Sequence, residues 1–362
     1  MPEPIVPPTR AAGSRGPARV GANLRDVAQR AGVSPATVSR VFAGNDRVNP
    51  HAREAVLAAA AELGYVVNGL ARSMMGHGRR FVAFLVQEMV GPTFAELAAA
   101  AEGVATANGD FFVLCTTHGE ADRERELIDT LREQRATAIL LVGSMPTDAA
   151  YAERVREYAR DVEAVGGKLV IVGGPAQSIV PSAPSVNYDH TGGVRTAVRH
   201  LLELGHRRIL YVGAQPGFST HSLRLEGYVL ALKDYRAEDE ARTLTCSGSA
   251  ESAAHAMAEY LDGGGDATAV MCETDNMAVG VLRSLRDRGI RVPADMSVVG
   301  FDDMPLVADL EPPLTTVRAP FRELGRRAGL VALDLEESTG TITLPTELIV
   351  RSSTGPVPVE KK

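Results

Sequence analysis

The hydrophobic and polar positions change their period once along the chain, near residue 80. Between residues 23 and 63, apolar side chains recur at every third or fourth position, as they do on one face of a helix. From Phe81 onward, short apolar runs such as FVAFLVQ, TAILLVG and KLVIVGG alternate with longer amphipathic stretches. This alternation is typical of strand–helix–strand units. The pattern therefore predicts a helical head followed by an α/β body.

The head, residues 23–66, is predicted to form a helix-turn-helix braced by a third helix. Ser34 followed by Pro35 indicates the start of the second helix, which is predicted to run to about Ala43. Asn49 followed by Pro50 repeats that signal for the third helix. Two short helices joined by a tight turn can place the second one in a major groove. The predicted partner is duplex DNA.

Several polar and small side chains of the head are candidates for DNA contact: Asn23, Arg25, Pro35, Ala36, Thr37, Ser39, Arg40 and Asn49. Arg40 is the candidate for base reading because a guanidinium can bridge O6 and N7 of guanine. A phosphate contact or a solvated side chain is the alternative. Thr37 and Ser39 are expected to contact phosphate, or to cap and pack locally. Arg25 and Asn23 begin the first helix, where they can reach the DNA backbone or a base edge.

The charge distribution supports this division of the chain. Residues 1–80 contain 11 Arg, no Lys and 5 Asp or Glu, a charge of +6, whereas the whole chain carries −7 and the remainder therefore −13. A basic head on an acidic body suits a module that binds a polyanion, joined to a part that stays away from it.

Composition excludes several other classes of protein. No apolar run is long enough for a membrane span, and residues 1–22 form a Pro-, Gly- and Arg-rich stretch that is predicted to be a disordered leader, not a signal peptide. Cys115, Cys246 and Cys272 lack metal-ligand spacing and are predicted to be buried in a reducing cytoplasm. Neither a metal nor a cofactor is expected.

The body is predicted to contain parallel sheets with helices on both faces. Its length favours two lobes, with a break near Pro181–Pro184, and a cleft between them. The chain is predicted to return to the first lobe at LTTVRAPFRELGRRA and to finish with one strand in TITLPTELIV. The predicted fold class is an N-terminal all-α helix-turn-helix domain followed by an α/β two-lobed domain.

The run DVAQRAGVSPATVSRV at residues 26–41, continued by NGLARSMM at 68–75, resembles the lactose-repressor (LacI/GalR) family of bacterial transcriptional regulators. The body segments HLLELGHRRILYVG, RLEGY, RVPADMSVVGFDD and PPLTTVRAPFRELGRRA resemble the same family. The resemblance implies a periplasmic-binding-protein-like body, a small-molecule effector in its cleft, and a cytoplasmic homodimer, since no C-terminal leucine heptad follows. It implies these boundaries: a leader at 1–22, the helix-turn-helix domain at 23–66, a hinge helix and linker at 67–80, the two-lobed domain at 81–355 and a tail at 356–362.

The resemblance also assigns a role to residues 68–75, which in the family form a hinge helix that folds in the minor groove. The implied DNA contacts there are Asn68, Leu70, Ala71 and Met74, with Met74 as the apolar wedge. Gly69 stands where the family has alanine, and glycine costs about 1 kcal/mol of helix stability. This hinge is therefore predicted to fold less readily than a typical one. The implied operator is a pseudo-palindrome with a central CpG step.

Ligands of open α/β sheets bind beyond the carboxyl ends of the strands. The candidates for effector contact are Thr93, Phe94, Phe218, Thr220, Arg224, Thr274, Asp275 and Asp302. Arg224 and Asp302 match ligand-contacting positions of the family, although the two side chains can also pair with each other. Asp275 can instead cap the helix that begins near Asn276.

Several positions depart from the sugar-responsive pattern of the family. Thr93 replaces an aromatic residue, Gly173 replaces an aspartate, and the aromatic residue expected to close over a ligand ring falls near Gly248. The chain has no tryptophan to stack on a sugar. These departures weaken the case for a plain neutral sugar, so a sugar-related effector and an anionic one both remain open.

Two other classes of function compete with a ligand-controlled regulator. A solute-binding receptor would need a secretory signal and has no use for residues 23–75. An enzyme on a doubly wound fold would need a catalytic motif, and the chain contains no GxGxxG after a strand, no GxxxxGK[ST], no GxSxG and no HExxH. A regulator that has lost its response to any effector is a further alternative.

Overall fold

The computed structural model describes residues 22–42, 47–65, 80–89, 91–174, 180, 183–213, 216–237, 241–337 and 340–358. They fall into two compact units, residues 1–79 and 80–362. The predicted leader and the four hinge candidates (Asn68, Leu70, Ala71 and Met74) lie outside the described residues.

The first unit contains the three helices that the sequence predicts: α1 (Leu24–Ala31), α2 (Pro35–Phe42) and α3 (Pro50–Glu62). The Thr37 N–H donates to Ser34 Oγ at 3.1 Å, and the His51 N–H donates to Asn49 Oδ1 at 2.9 Å. Each bond satisfies a backbone donor that the first turn of a helix leaves free. The two predicted capping side chains therefore set where α2 and α3 begin.

One small core holds the three helices together. Val27, Val38 and Val56 come from different helices, and each is fully buried. Burying a valine side chain contributes roughly 1.5 kcal/mol or more. This core fixes the orientation of α2 within the unit.

The second unit has two lobes, each built around a six-stranded sheet. The N lobe contains β1 (Phe81–Val86), β2 (Phe111–Thr116), β3 (Ala138–Val142), β4 (Lys168–Val172), β5 (Ser185–Tyr188) and β11 (Thr341–Leu344), with helices α4 (Pro92–Ala107), α5 (Ala121–Glu133), α6 (Ala149–Ala164) and α11 (Phe321–Ala332). Its strand order is β11-β5-β4-β3-β1-β2, and all its strand pairs are parallel. Buried runs such as AILLV in β3 suit a sheet covered on both faces.

The C lobe repeats this arrangement with one reversed strand. It contains β6 (Ile209–Gly213), β7 (Arg242–Thr245), β8 (Ala269–Cys272), β9 (Ser297–Asp302), β10 (Thr315–Arg318) and β12 (Glu347–Ile349), with helices α7 (His190–Glu203), α8 (Ser219–Asp234), α9 (Ala250–Asp262) and α10 (Asp275–Asp287) and a short 3-10 helix (Pro305–Asp309). Its strand order is β12-β10-β9-β8-β6-β7, and among its described strand pairs only β10–β12 is antiparallel.

In the part of the chain that the structure describes, three crossings connect the lobes, at Asp189, at residues 319–320 and at residues 345–346. The prediction of a lobe boundary near Pro181–Pro184 was wrong, because β4 and β5 on either side of it pair in one sheet. The prediction of one final strand was also wrong. Residues 341–349 form two strands in different lobes, and the run is interrupted at Pro345, which has no N–H to donate to a ladder.

Two glycines let helices of the N lobe approach closely. A Cβ at Gly325 would lie 2.1 Å from the Leu97 carbonyl oxygen, and one at Gly329 would lie 2.9 Å from Val104 Cβ. Helix α11, which follows the second crossing, therefore packs directly on α4. This packing places the start of α11 beside the cleft.

Candidate functional site

A cavity of about 170 Å³ lies between the lobes, beyond the carboxyl ends of the central strands of both sheets. The residues that line it are Thr93, Phe94, Leu97, Val142, Gly143, Ser144, Val172, Gly173, Tyr188, Thr220, Arg224, Glu273, Thr274, Asp302, Phe321 and Leu324. Six of the eight sequence-predicted candidates are among them. Phe218 and Asp275 are not.

Three aromatic rings line the cavity, although the sequence predicted only Phe94. Tyr188 is the last residue of β5 and Phe321 is the first residue of α11, so both flank lobe crossings. Their rings lie 5.7 Å apart in an edge-on arrangement. Tyr188 and Phe321, beside the crossings, thus provide the aromatic surface that was expected near Gly248. The sequence carried no local signal for these two rings, because the positions of the crossings depend on which strands pair.

Arg224 is almost saturated by its protein neighbours. Its Nε donates to His190 Nδ1 at 3.3 Å and its Nη1 donates to the Glu273 carbonyl oxygen at 2.5 Å. Its Nη2 donates to the Tyr188 hydroxyl at 3.0 Å and to Asp302 Oδ1 at 3.3 Å. These contacts among the described residues occupy four of the five N–H groups of a guanidinium. Arg224 and Asp302 therefore pair with each other, which is the alternative that the sequence left open.

Asp302, the acidic partner of Arg224, has an unusual backbone conformation. Its φ is 118° and that of Asp303 is 57°, a left-handed pair of non-glycine residues at the end of β9. Asp303 is anchored by Arg318 Nε at 2.8 Å and by Arg351 Nη2 at 2.7 Å. Burial raises the pKa of Asp302 to about 6, and the Arg224 charge opposes that rise. Asp302 therefore remains mostly ionised at neutral pH.

Asp275 lies behind the cavity wall, so the structure contradicts its prediction as an effector contact. It is fully buried, its Oδ1 lies 2.5 Å from Thr316 Oγ1, and its Oδ2 accepts the Met304 N–H at 2.7 Å. Helix α10 begins at Asp275 and is capped by Thr274, whose Oγ1 accepts the Met277 N–H. The first turn of the helix thus directs Asp275 into the protein. Burial raises its pKa to about 8, and the charge of Asp302 adds to the rise.

Phe218 also lies outside the cavity, in a contact that joins the lobes. It forms an isolated antiparallel bridge with Pro146 and is about one-third exposed. Next to it, Thr220 Oγ1 donates to Ser144 Oγ at 2.6 Å. Residues 144–147 of the N lobe and 217–220 of the C lobe are therefore hydrogen-bonded across the cleft. This contact closes one side of the cavity.

A buried acid–imidazole pair, which no sequence motif indicated, underlies the C-lobe wall. His221 Nδ1 lies 2.7 Å from Glu273 Oε2, and the Tyr211 hydroxyl donates to the same oxygen at 3.2 Å. The Glu273 carbonyl also accepts from Arg224. The pair therefore helps to fix the backbone against which Arg224 rests.

Two open hollows adjoin the cavity. One, of about 280 Å³, shares Phe94 and residues 142–144 with it. The other, of about 410 Å³, shares Thr93, Asp302 and Phe321. Cavity and hollows together give the cleft room for more than a single small ring.

The candidates for DNA contact on α2 occupy its start and its outer face. Pro35, Ala36 and Arg40 are exposed, and Thr37 and Ser39 are half-buried. The Thr37 hydroxyl lies 2.9 Å from the Ser34 hydroxyl, so it also takes part in the cap.

At the start of α1, Asn23 and Arg25 are exposed, and Asn49 is exposed before α3. Asn23 Oδ1 accepts the N–H groups of Arg25 and Asp26, so its carboxamide oxygen is already used as a helix cap. The exposed face of α2 and both of these helix starts are available to a partner.

Comparison with known proteins agrees with both units. Residues 23–68 match the profile of bacterial regulatory proteins of the lacI family, and residues 198–354 match that of a periplasmic binding protein-like domain. The transcriptional regulator GalS of Salmonella typhimurium is 33% identical over 89% of this chain and 91% of its own length. The chain belongs to the lacI family.

Solved structures extend the similarity of this lacI-family chain to its three-dimensional fold. The match to a lac repressor dimer bound to operator and the anti-inducer ONPF covers 92% of this chain and 99% of the repressor chain, with a TM-score of 0.77 and 29% identity. The regulator CelR in complex with cellobiose covers the same shares, with a TM-score of 0.66 and 32% identity. These relatives are transcriptional regulators rather than enzymes.

The expectations drawn from the resemblance are therefore confirmed for family, fold class and type of function. This protein is a DNA-binding transcriptional regulator with a helix-turn-helix unit and a two-lobed, periplasmic-binding-protein-like unit. Within the described residues, no helix combines the length and apolar character that a membrane crossing needs.

Proposed function

We propose that this regulator is a cytoplasmic, dimeric repressor whose operator affinity is set by a neutral, polyhydroxylated effector, a sugar, in the interlobe cavity. The observation that carries this proposal is the Arg224–Asp302 pair within a cavity lined by three aromatic rings. We further propose that the cleft binds its ligand without catalysing a reaction. The His221–Glu273 pair is buried and its imidazole Nδ1 is turned to the carboxylate.

The charge balance of the cavity favours a neutral ligand over an anion. The guanidinium of Arg224 faces the carboxylate of Asp302 and has at most one N–H left among the described contacts. An anion would have to displace Asp302 or lie beside it, and a like charge in a buried site is costly. A hydroxyl group can donate to Asp302 and accept from the remaining N–H without such a cost. The balance therefore favours the sugar-related effector over the anionic one.

The shape of the lining also suits a sugar ring. Phe94, Tyr188 and Phe321 supply apolar faces, and Thr93, Ser144 and Thr220 add side chains with hydroxyl groups to the same lining. Apolar faces with a few oriented polar groups are how such cavities hold a pyranose. The CelR relative binds cellobiose. The hollow beside Phe321 gives room for a second sugar unit in this chain as well.

Control of DNA binding follows from a difference in operator affinity between effector-bound and effector-free protein. Such couplings are typically about 1–3 kcal/mol. The proposed effector cavity lies between the lobes and close to the contact of residues 144–147 with 217–220. An effector bound there can therefore favour one relative position of the lobes over another.

We propose that the operator is a pseudo-palindrome read by Arg40 of each subunit. We also propose that the N-lobe edge strand β2 contributes to the dimer interface. Phe111, Val113 and Leu114 of this edge strand are exposed apolar residues, which a second copy of the chain would cover. The lac repressor relative is a dimer on its operator. Affinity should fall steeply with salt because arginine–phosphate contacts release counterions.

The experiment is calorimetric titration of the full chain with matched ligands: D-galactose, D-ribose and cellobiose against galactose 6-phosphate and gluconate. We expect at least one neutral sugar to bind more tightly than either anion. Asp302→Asn leaves the Arg224 charge unbalanced, so it should weaken the sugar and strengthen the anions. Asp309→Asn, an exposed control in the same lobe, should change neither. Tighter binding of an anion than of every sugar by the parent protein would refute the proposal.

A further inference from the structure

His190 occupies an unusual position between the lobes. It is the first residue of α7, directly after the crossing at Asp189, and it is 1% exposed. Its ring lies 4.0 Å from that of Tyr188 and stacks 6.5 Å from that of Phe301, measured between centroids. These neighbours fix the orientation of the imidazole. His190 itself does not line the cavity.

The partners of the imidazole determine its tautomer. The Nε of an arginine always carries a hydrogen, so the contact of Arg224 Nε with His190 Nδ1 at 3.3 Å makes Nδ1 an acceptor. His190 Nε2 then carries the ring hydrogen and donates it to the Gly173 carbonyl oxygen at 3.2 Å. Burial and the Arg224 charge hold the pKa of His190 well below its ordinary value, which agrees with a neutral ring.

The hydrogen bonds form one buried path from the C lobe to the N lobe. Asp302 accepts from Arg224, Arg224 donates to His190, and His190 donates to Gly173. Gly173 lines the cavity, and its own N–H donates to the Val186 carbonyl at 2.9 Å, which ties it to β5. The path begins and ends at the wall of the effector cavity.

We propose that His190 is a positioning residue that couples the Arg224–Asp302 pair to the N lobe, so that contact with the effector on one lobe is transmitted to the other through its neutral imidazole. The inference rests on the proposed function, because it describes regulation at the same cavity. A purely apolar ring would fill the space between Tyr188 and Phe301 equally well. The imidazole adds two hydrogen bonds: it accepts one from Arg224 of the C lobe and donates one to the Gly173 carbonyl of the N lobe.

The first test is spectroscopic and needs no effector. Full-length protein labelled with 15N-histidine is compared with His190→Gln to assign the signal. We expect the parent His190 to show the Nε2–H tautomer. An Nδ1–H tautomer or a protonated ring would overturn the proposal, because neither can accept from Arg224 while donating to Gly173.

The second test separates coupling from packing. Pulsed electron paramagnetic resonance measures the distance between spin labels at Asp129→Cys in the N lobe and Glu259→Cys in the C lobe, in a Cys115→Ser background. The parent side chains at these positions are 48% and 71% exposed. His190→Phe keeps an aromatic ring and removes both bonds, and His190→Gln keeps one donor and one acceptor. Losing bonds of this kind should shift the balance of lobe positions about tenfold and broaden the distance distribution. His190→Gln should stay within about twofold of the parent.

Equal distance distributions for the parent and His190→Phe would overturn the proposal. Equal broadening of the distribution in His190→Phe and His190→Gln, with the melting temperature unchanged, would also overturn it. The proposed function fails separately. If the parent protein selects no pseudo-palindromic DNA from a random pool and binds none of the three sugars, the repressor assignment falls while the distance and tautomer measurements still decide the role of His190.

Discussion

The buried carboxyl group of Asp275 makes a quantitative prediction about stability and pH. Its pKa of about 8 in the folded protein lies far above the value near 3.8 of a solvated aspartate. The folded protein therefore keeps a proton that the unfolded chain releases. Stability from this group is fully present below about pH 4 and is lost as the pH rises towards 8.

The size of the effect follows from the same pKa values. Each pH unit between the two values costs about 1.4 kcal/mol, so roughly 3 kcal/mol should disappear between pH 5 and pH 7. Asp275→Asn should remove this contribution to the slope, whereas Asp302, whose pKa is raised to about 6, keeps its own smaller contribution. A neutral amide can donate to Thr316 Oγ1 and accept from the Met304 N–H, as a protonated carboxyl group does.

The assay is urea unfolding of the parent and of Asp275→Asn at pH 5, 6 and 7, followed by circular dichroism because the chain has no tryptophan. Asp287→Asn, at the exposed end of the same helix, is the control and should keep the parent slope. If Asp275→Asn instead keeps that slope and is less stable at every pH, the carboxyl group is ionised in the folded state and the reasoning is wrong. Sugar binding at neutral pH should survive this substitution, since Asp275 does not line the cavity.

Three further predictions concern the head, the packing and the cavity. Arg40→Ala should relax base preference at one symmetric pair of operator positions by about 1–3 kcal/mol, measured by competition with single-base variants; uniform weakening would indicate a phosphate contact. Gly325→Ala should cost about 1–3 kcal/mol of unfolding free energy in a denaturant titration, because its Cβ would meet the Leu97 carbonyl, whereas Gly103→Ala in open space on α4 should stabilise the protein by up to about 1 kcal/mol. Phe321→Ala should weaken sugar binding about fivefold in calorimetry through loss of a ring face worth about 1 kcal/mol, and unchanged affinity would remove Phe321 from the effector site.

The elements were predictable from local pattern, whereas their assignment to lobes was not. Ser34 and Asn49 set helix starts through bonds to residues two or three positions away, so the sequence alone locates them. Membership of a sheet depends on pairing with distant strands. For that reason the loop before β5 looked like a lobe boundary, and residues 341–349 looked like one strand.

The same distinction explains the outcome for the cavity. Residues at the carboxyl ends of strands, such as Asp302 at the end of β9, follow from the rule that cavities form at that edge of parallel strands. That rule does not give side-chain direction, and the first turn of α10 directs Asp275 away from the cleft. Tyr188 and Phe321 reach the cavity because the chain crosses between lobes beside them, which requires knowing where the crossings are.

The most direct test of the central claim is the affinity of the dimer for its selected operator, with and without the sugar that binds in calorimetry. Saturating sugar is expected to change the operator affinity of the parent by about 5- to 150-fold. Arg224→Met should bind the same operator and show no such change, because the substitution removes the central side chain of the cavity. An unchanged affinity in the sugar-saturated parent, or the same response in Arg224→Met, would contradict control through this cavity.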